Sequence, residues 1–115
     1  MINRNEIRLG NYFNYYENSH VGYVLGIQVS SFSNSSKIAI SISGGGWTQT
    51  DLDDLTPIEI TEEILLKCNI KRHSPSNFEC IDNGFDLYCG YDIKYLHQLQ
   101  NIYFCIVGKE LNINL

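Results

Sequence analysis

Nucleophilic and metal chemistry would fall first to four cysteines and three histidines in this chain of 115 residues. Cys68, Cys80, Cys89 and Cys105 are separated by 12, 9 and 16 positions, so no C-x-x-C pair offers a zinc knuckle or a redox motif. Each cysteine has apolar neighbours, as in Phe104-Cys105-Ile106, and is expected to act as a small buried hydrophobe. His20, His73 and His97 are scattered and form no local pair with any cysteine. Gly44-Gly45-Gly46 lacks the Gly-Lys-Ser/Thr that a phosphate-cradling loop requires and reads as a hairpin turn. Asp51, Asp53 and Asp54 could gather a hard cation, but the glycine and distal glutamate of a calcium loop are absent, which favours a solvated turn. No catalytic residue, metal ligand or cofactor is therefore assigned. Asn34-Ser35-Ser36 fits the glycosylation pattern, which carries no meaning in the cytosol.

Recognition chemistry is better supplied. On a helical wheel the last apolar segment places Tyr95, Leu96, Leu99, Ile102, Tyr103 and Ile106 on one face, the expected core stripe. Lys94, His97, Asn101 and Phe104 fall on the opposite face, with Gln98 and Gln100 on its flanks. Amides that both donate and accept, beside His97 and Phe104 that can stack, could read the edges of a nucleotide base or form a protein interface. Phe104 is covered either by the residue 78–91 hairpin or by another molecule. Trp47, the only tryptophan, follows the glycine run and reads either as core packing or as a stacking platform at a cleft rim.

The elements that must position these groups define an α+β chain. Residues 7–16 are rich in β-formers; Tyr12 and Tyr16 share one face, Phe13 and Tyr15 the other. Val21, Tyr23, Leu25, Ile27 and Val29 alternate with Gly22 and Gly26, so the odd positions are expected to be buried. Residues 37–43 alternate too, with Ile38, Ile40 and Ile42 inward, and residues 47–50 follow the glycine turn. These short strands predict a small antiparallel barrel or strongly curled sheet over residues 1–60. Thr61 caps a short helix with Glu62 and Glu63 in its first turn, Leu65 and Leu66 on its apolar face and Asn69 as a left-handed stop. Residues 71–77 read as a polar loop, and residues 78–81 and 85–91 as a hairpin around Asp82-Asn83-Gly84. The amphipathic last helix should run from an Asp92 cap to about Val107, with Gly108 as its stop. One domain over 1–115 is expected, with a helix–hairpin–helix part over 61–115.

Composition limits the partners. With 8 Lys+Arg against 13 Asp+Glu and a net charge of −5, extended nucleic acid is a poor match. Arg4, Arg8 and the Lys71-Arg72 pair leave two modest basic spots, enough for a small phosphate-bearing ligand. No apolar run is long enough to cross a membrane as a helix, and Met1-Ile2-Asn3-Arg4-Asn5-Glu6 lacks a signal-peptide core, so a cytoplasmic location is expected.

Three stretches resemble a family of short proteins encoded by phages and prophages of gut and environmental Bacteroidetes. They are Glu6-Ile7-Arg8-Leu9-Gly10-Asn11-Tyr12, then Leu55-Thr56-Pro57-Ile58-Glu59-Ile60-Thr61-Glu62-Glu63-Ile64-Leu65-Leu66-Lys67, and Lys94-Tyr95-Leu96-His97-Gln98-Leu99-Gln100-Asn101-Ile102-Tyr103-Phe104 with Gly108-Lys109-Glu110-Leu111. The chain departs from that pattern at Ile64, where an aromatic residue is usual, and at Cys105, where alanine is. The resemblance implies a phage-type origin, in the cytosol of an infected cell, and an order of elements; it carries over no catalytic residue. The high Asn and Ile content, with Ala39 the only alanine, fits such an origin.

Two non-enzymatic readings stay open, with a small enzyme as a third. In one, the protein is a counter-defence factor that sequesters a nucleotide-like signal, as an oligomer with pockets between subunits. In the other, it is an adaptor or inhibitor that docks on a host or phage protein through the last helix. The candidate binding residues are Lys94, His97, Gln98, Gln100, Asn101, Phe104 and Trp47.

Overall fold

β1 (Tyr12–Tyr15), β2 (His20–Val29), β3 (Ser36–Ser41) and β4 (Trp47–Asp51) form an antiparallel meander in the order of the chain. The computed structural model describes residues 6–15, 20–29, 36–42, 45–88 and 90–113. It divides the chain into two compact units, Met1–Ile58 and Glu59–Leu115. The expected turns over residues 17–19 and 33–35, together with Tyr16, Gly44 and Cys89, lie outside the described residues.

In the first unit, Phe13, Tyr15, Val24, Ile38, Ile40 and Leu55 form the core. Alternation places Phe13 and Tyr15 of β1 and Ile38 and Ile40 of β3 inward, but Ile42, expected inward with them, lies beyond the end of β3 and is exposed. β2 reverses the expectation. Val21, Tyr23, Leu25 and Ile27 are exposed, and Gly22 and Val24 are buried. The cause is space. A Cβ built on Gly22 would lie 2.5 Å from the Ser41 carbonyl oxygen and 2.8 Å from Ile40 Cγ1, so the strand can curl this tightly only where no side chain exists. The register then slips between Val24, opposite Ile40, and Gly26, opposite Ala39, a bulge that bends the strand further. The sheet stays open rather than closing into a barrel. β1 is instead bridged on its far side by Thr56, whose N–H donates to Asn14 O at 2.9 Å and whose carbonyl accepts from Asn14 N at 3.0 Å. Gly45 and Gly46, at φ +109° and +89°, turn β3 into β4 as the glycine run predicted.

The second unit runs α1 (Glu62–Cys68), β5 (Ile70–Ser74), β6 (Asn77–Cys80), β7 (Asp86–Tyr88) and α2 (Leu96–Val107), with its three strands antiparallel in that order. Thr61 Oγ1 caps α1 by accepting from Ile64 N at 3.2 Å, and Asn69 ends it at φ 57°, ψ 44°. Leu65 is buried, but Leu66 is 78% exposed, so the two do not share an inward face. β5 occupies the segment read as a polar loop. Its side chains beyond Ile70 are mostly exposed, so it has no apolar alternation; backbone pairing to β6 makes it a strand. Tyr95, rather than Asp92, caps the start of α2, and Gly108 stops it as expected, with φ 81°.

Candidate functional site

The faces of α2 follow the wheel-based expectation for Leu96, Leu99 and Phe104 but not for His97, Gln100 and Ile106. Leu96, His97, Leu99 and Gln100 are its buried residues, whereas Phe104 and Ile106 are exposed. His97, expected on the open face, is 1% exposed and stacks on the Tyr95 ring, with centroids 6.1 Å apart and planes 13° from parallel. Gln100 is equally buried, and Asn101 is half-buried. Gln98 is engaged locally: its Oε1 accepts from the backbone N–H of Lys94 at 3.1 Å and of Tyr95 at 3.2 Å, tying down the start of the helix. The six candidates of the second unit therefore do not share one exposed face. His97 and Gln100 are packed inside, Phe104 is 40% exposed, and Trp47, 63% exposed on β4, belongs to the other unit. Trp47 is thus surface, not core.

The cysteines divide as well. Cys68 and Cys80 are buried, while Cys105 is exposed, against the expectation that all would be interior. Burial pushes the Cys68 thiol up to about 11, which leaves it protonated and inert at neutral pH. Tyr103 is raised above the ordinary phenol range, first by burial and then by the Cys80 thiol; the Asn83 side chain opposes this through a hydrogen bond. Asp51 is ion-paired with Lys37, and Asp53 and Asp54 sit exposed on the one-turn segment Leu52–Asp54. No cluster of three or more His, Cys, Asp or Glu side chains suited to a metal occurs among the described residues.

Lys94, alone among the seven candidates, lines the cleft between β5 and the start of α2. This cleft of about 380 Å³ in the second unit is walled by Arg72 from β5, Lys94 and Tyr95 from the start of α2, and Glu59 and Asp92, with Pro75 at the β5–β6 turn. Local pairing builds it. Ile60 N donates to Lys94 O at 3.0 Å, Glu59 bridges Tyr95, and Ile93 N donates to Pro75 O at 2.8 Å. Lys94 thus has its backbone N–H held by Gln98 and its carbonyl by Ile60. Arg72 lies over the Phe78 ring, 5.5 Å from the centroid. Two cations, two carboxylates, an aromatic ring and a proline surround one concavity. The Lys71-Arg72 pair was a readable basic spot, but nothing local in the sequence linked Arg72 to Lys94 or Tyr95. Only the unexpected strand β5 does that.

An α+β chain with a ligand-sized cleft in its second unit is the class these features define. Comparison with protein-family models, with curated proteins and with solved structures returned no match.

Proposed function

We propose that the protein is a non-enzymatic binding protein whose cleft sequesters a single nucleotide-like molecule. The observation that carries this reading is the meeting of Arg72, Lys94, Glu59, Asp92 and Tyr95 around about 380 Å³. That volume falls within the range of small-molecule sites. A nucleotide presents three features that this set can meet. Its phosphate suits the guanidinium and the ammonium; its ribose hydroxyls or exocyclic amine suit a carboxylate; and its flat base suits the Tyr95 ring. On the resemblance to Bacteroidetes phage proteins, we propose that the ligand is a nucleotide signal of host defence, withdrawn in the infected cytosol. The cleft lies within one unit, so this version needs no pocket between subunits.

A melting assay with adenine and guanine mononucleotides, cyclic mononucleotides and dinucleotides tests the reading. A ligand at one hundred times its dissociation constant stabilises the folded form by about 2.7 kcal/mol and should raise the melting temperature by several degrees. Arg72→Glu and Lys94→Glu should each remove the shift. A flat response across the panel refutes the proposal. A second reading rests on Phe104 and Ile106, both exposed on α2, as a protein-docking strip, either for a partner or for a second copy. There, Phe104→Asp should change the mass in solution or abolish partner capture and leave nucleotide-induced shifts unchanged.

A further inference from the structure

The outward face of the first unit's sheet carries a row of side chains across all four strands. Tyr12 on β1 is paired with Tyr23 on β2, and the rings meet edge to face with centroids 5.7 Å apart. Tyr23 N donates to Ser41 Oγ on β3 at 2.9 Å, and Ser41 is paired with Trp47 on β4. Residues paired across an antiparallel sheet project from the same face, so Tyr12, Tyr23, Ser41 and Trp47 stand in one line. The adjacent line is Gly26, Ala39 and Gln49. Small residues therefore fill the middle of both lines. Their short side chains leave β3 as a shallow trough between the positions of Tyr23 and Trp47 on the flanking strands. Two strand spacings separate those residues by roughly 10 Å, wide enough to admit a ring between or beneath them.

Charge selects the occupant. Ser41, Ala39, Gly26 and Gln49 are uncharged, and Lys37 and Asp51, on the next outward line of β3 and β4, are paired with each other. A polyanion gains nothing from such a surface, since phosphate contacts require free cations. An uncharged ligand with an apolar face and hydroxyls around its edge gains from all of it. The rings cover the C–H face, the Ser41 hydroxyl retains a proton to donate after accepting from Tyr23 N, and the Gln49 amide both donates and accepts. We infer that the trough between Tyr23 and Trp47 is a binding site for the pyranose rings of a neutral oligosaccharide. It is independent of the cleft in the second unit.

Trp47 is the only tryptophan, so its fluorescence reports this site directly. The titrants are uncharged tetrasaccharides of glucose, N-acetylglucosamine, galactose and mannose, up to on the order of 10 mM, the range of weak binding. A saturable change in emission with at least one of them is expected. Tyr23→Ala and Gln49→Ala, both at exposed positions, should weaken it about ten-fold or more. Lys94→Glu should leave it intact, which separates this site from the nucleotide cleft. No response to any sugar overturns the inference. So does a sugar response that survives Tyr23→Ala, or saturation only by a single-stranded oligothymidine or a proline decapeptide.

Discussion

β2 inverts the expected hydrophobic pattern and α2 departs from it in part, for different physical reasons. On β2 the apolar positions Val21, Tyr23 and Leu25 face outward, because the concave side has no room for a Cβ at Gly22, and Ile27, back on the Ile38 side past the bulge, is still 40% exposed. On α2 the polar side chains of His97 and Gln100 face inward, while Phe104 and Ile106 are exposed. There the departure is rotational. Gln98 holds the backbone of Lys94 and Tyr95, the helix starts at Leu96, and the arc that turns inward is 96, 97, 99 and 100. In the strand the backbone decides which face is buried. In the helix the placement of its first turn decides it. Apolar periodicity alone identifies the element but not its inward side.

The largest effects should come from the buried members of this contrast. Phe78 on β6 is fully buried, with Arg72 opposite it on β5 and Leu87 opposite it on β7. Phe78→Ala should cost about 3–5 kcal/mol in urea unfolding. Phe104→Ala, at a surface position on α2, should cost less than about 1 kcal/mol. Equal losses would show that Phe104 belongs to the core after all, and the outward face assigned to α2 would fall.

Next in size are the two glycines of β2. At Gly22 the added methyl meets backbone oxygen, which cannot move aside, so Gly22→Ala should destabilise the first unit by about 2–3 kcal/mol. At Gly26 the same methyl would sit 3.7 Å from Ala39 Cβ, an ordinary contact. Gly26→Ala should change stability by no more than about 1 kcal/mol and can even raise it, because alanine has less freedom to lose on folding. Matching losses at both positions would mean that close approach at Gly22 does not set the facing of β2.

These particulars show what was legible beforehand. Features set by neighbours in the chain could be read: the Thr61 cap, the left-handed Asn69, the Gly45-Gly46 turn, the Gly108 stop and the alternation of β1 and β3. Features set by distant atoms could not. Gly22 faces inward because of Ser41 and Ile40, some twenty residues away. β5 looks like a loop because a largely exposed strand needs no apolar alternation, only a partner. The cleft joins Glu59, Arg72 and Lys94 through that strand. Of the seven residues chosen for recognition, Lys94 reached it because it sits beside the helix start, and Trp47 reached the surface because its alternation opposes that of Thr48 and Thr50. The wheel put Phe104 on the open face correctly, but it misplaced His97 and Gln100, which the actual first turn rotates inward.

The smallest effect appears only in alkali, and it distinguishes the two units by the groups that titrate. Cys68, in the second unit, has its thiol raised by burial from 9.0 to about 11. Unfolding restores the lower value. Between about pH 9 and 11 the unfolded chain therefore holds fewer protons at this site than the folded one, and stability falls as pH rises. Tyr103 acts with the same sign, raised first by burial and then by Cys80. In the first unit, Tyr12 is raised by burial and by Tyr23, but from a starting value of 10.0, so its loss begins later. Urea unfolding across this window should show a decline that starts near pH 9, and Cys68→Ala should flatten its early part. Tyr12→Phe should leave that early part unchanged. If Tyr12→Phe removes it instead, alkaline sensitivity begins in the curled sheet rather than in α1, and the order of the two units is reversed.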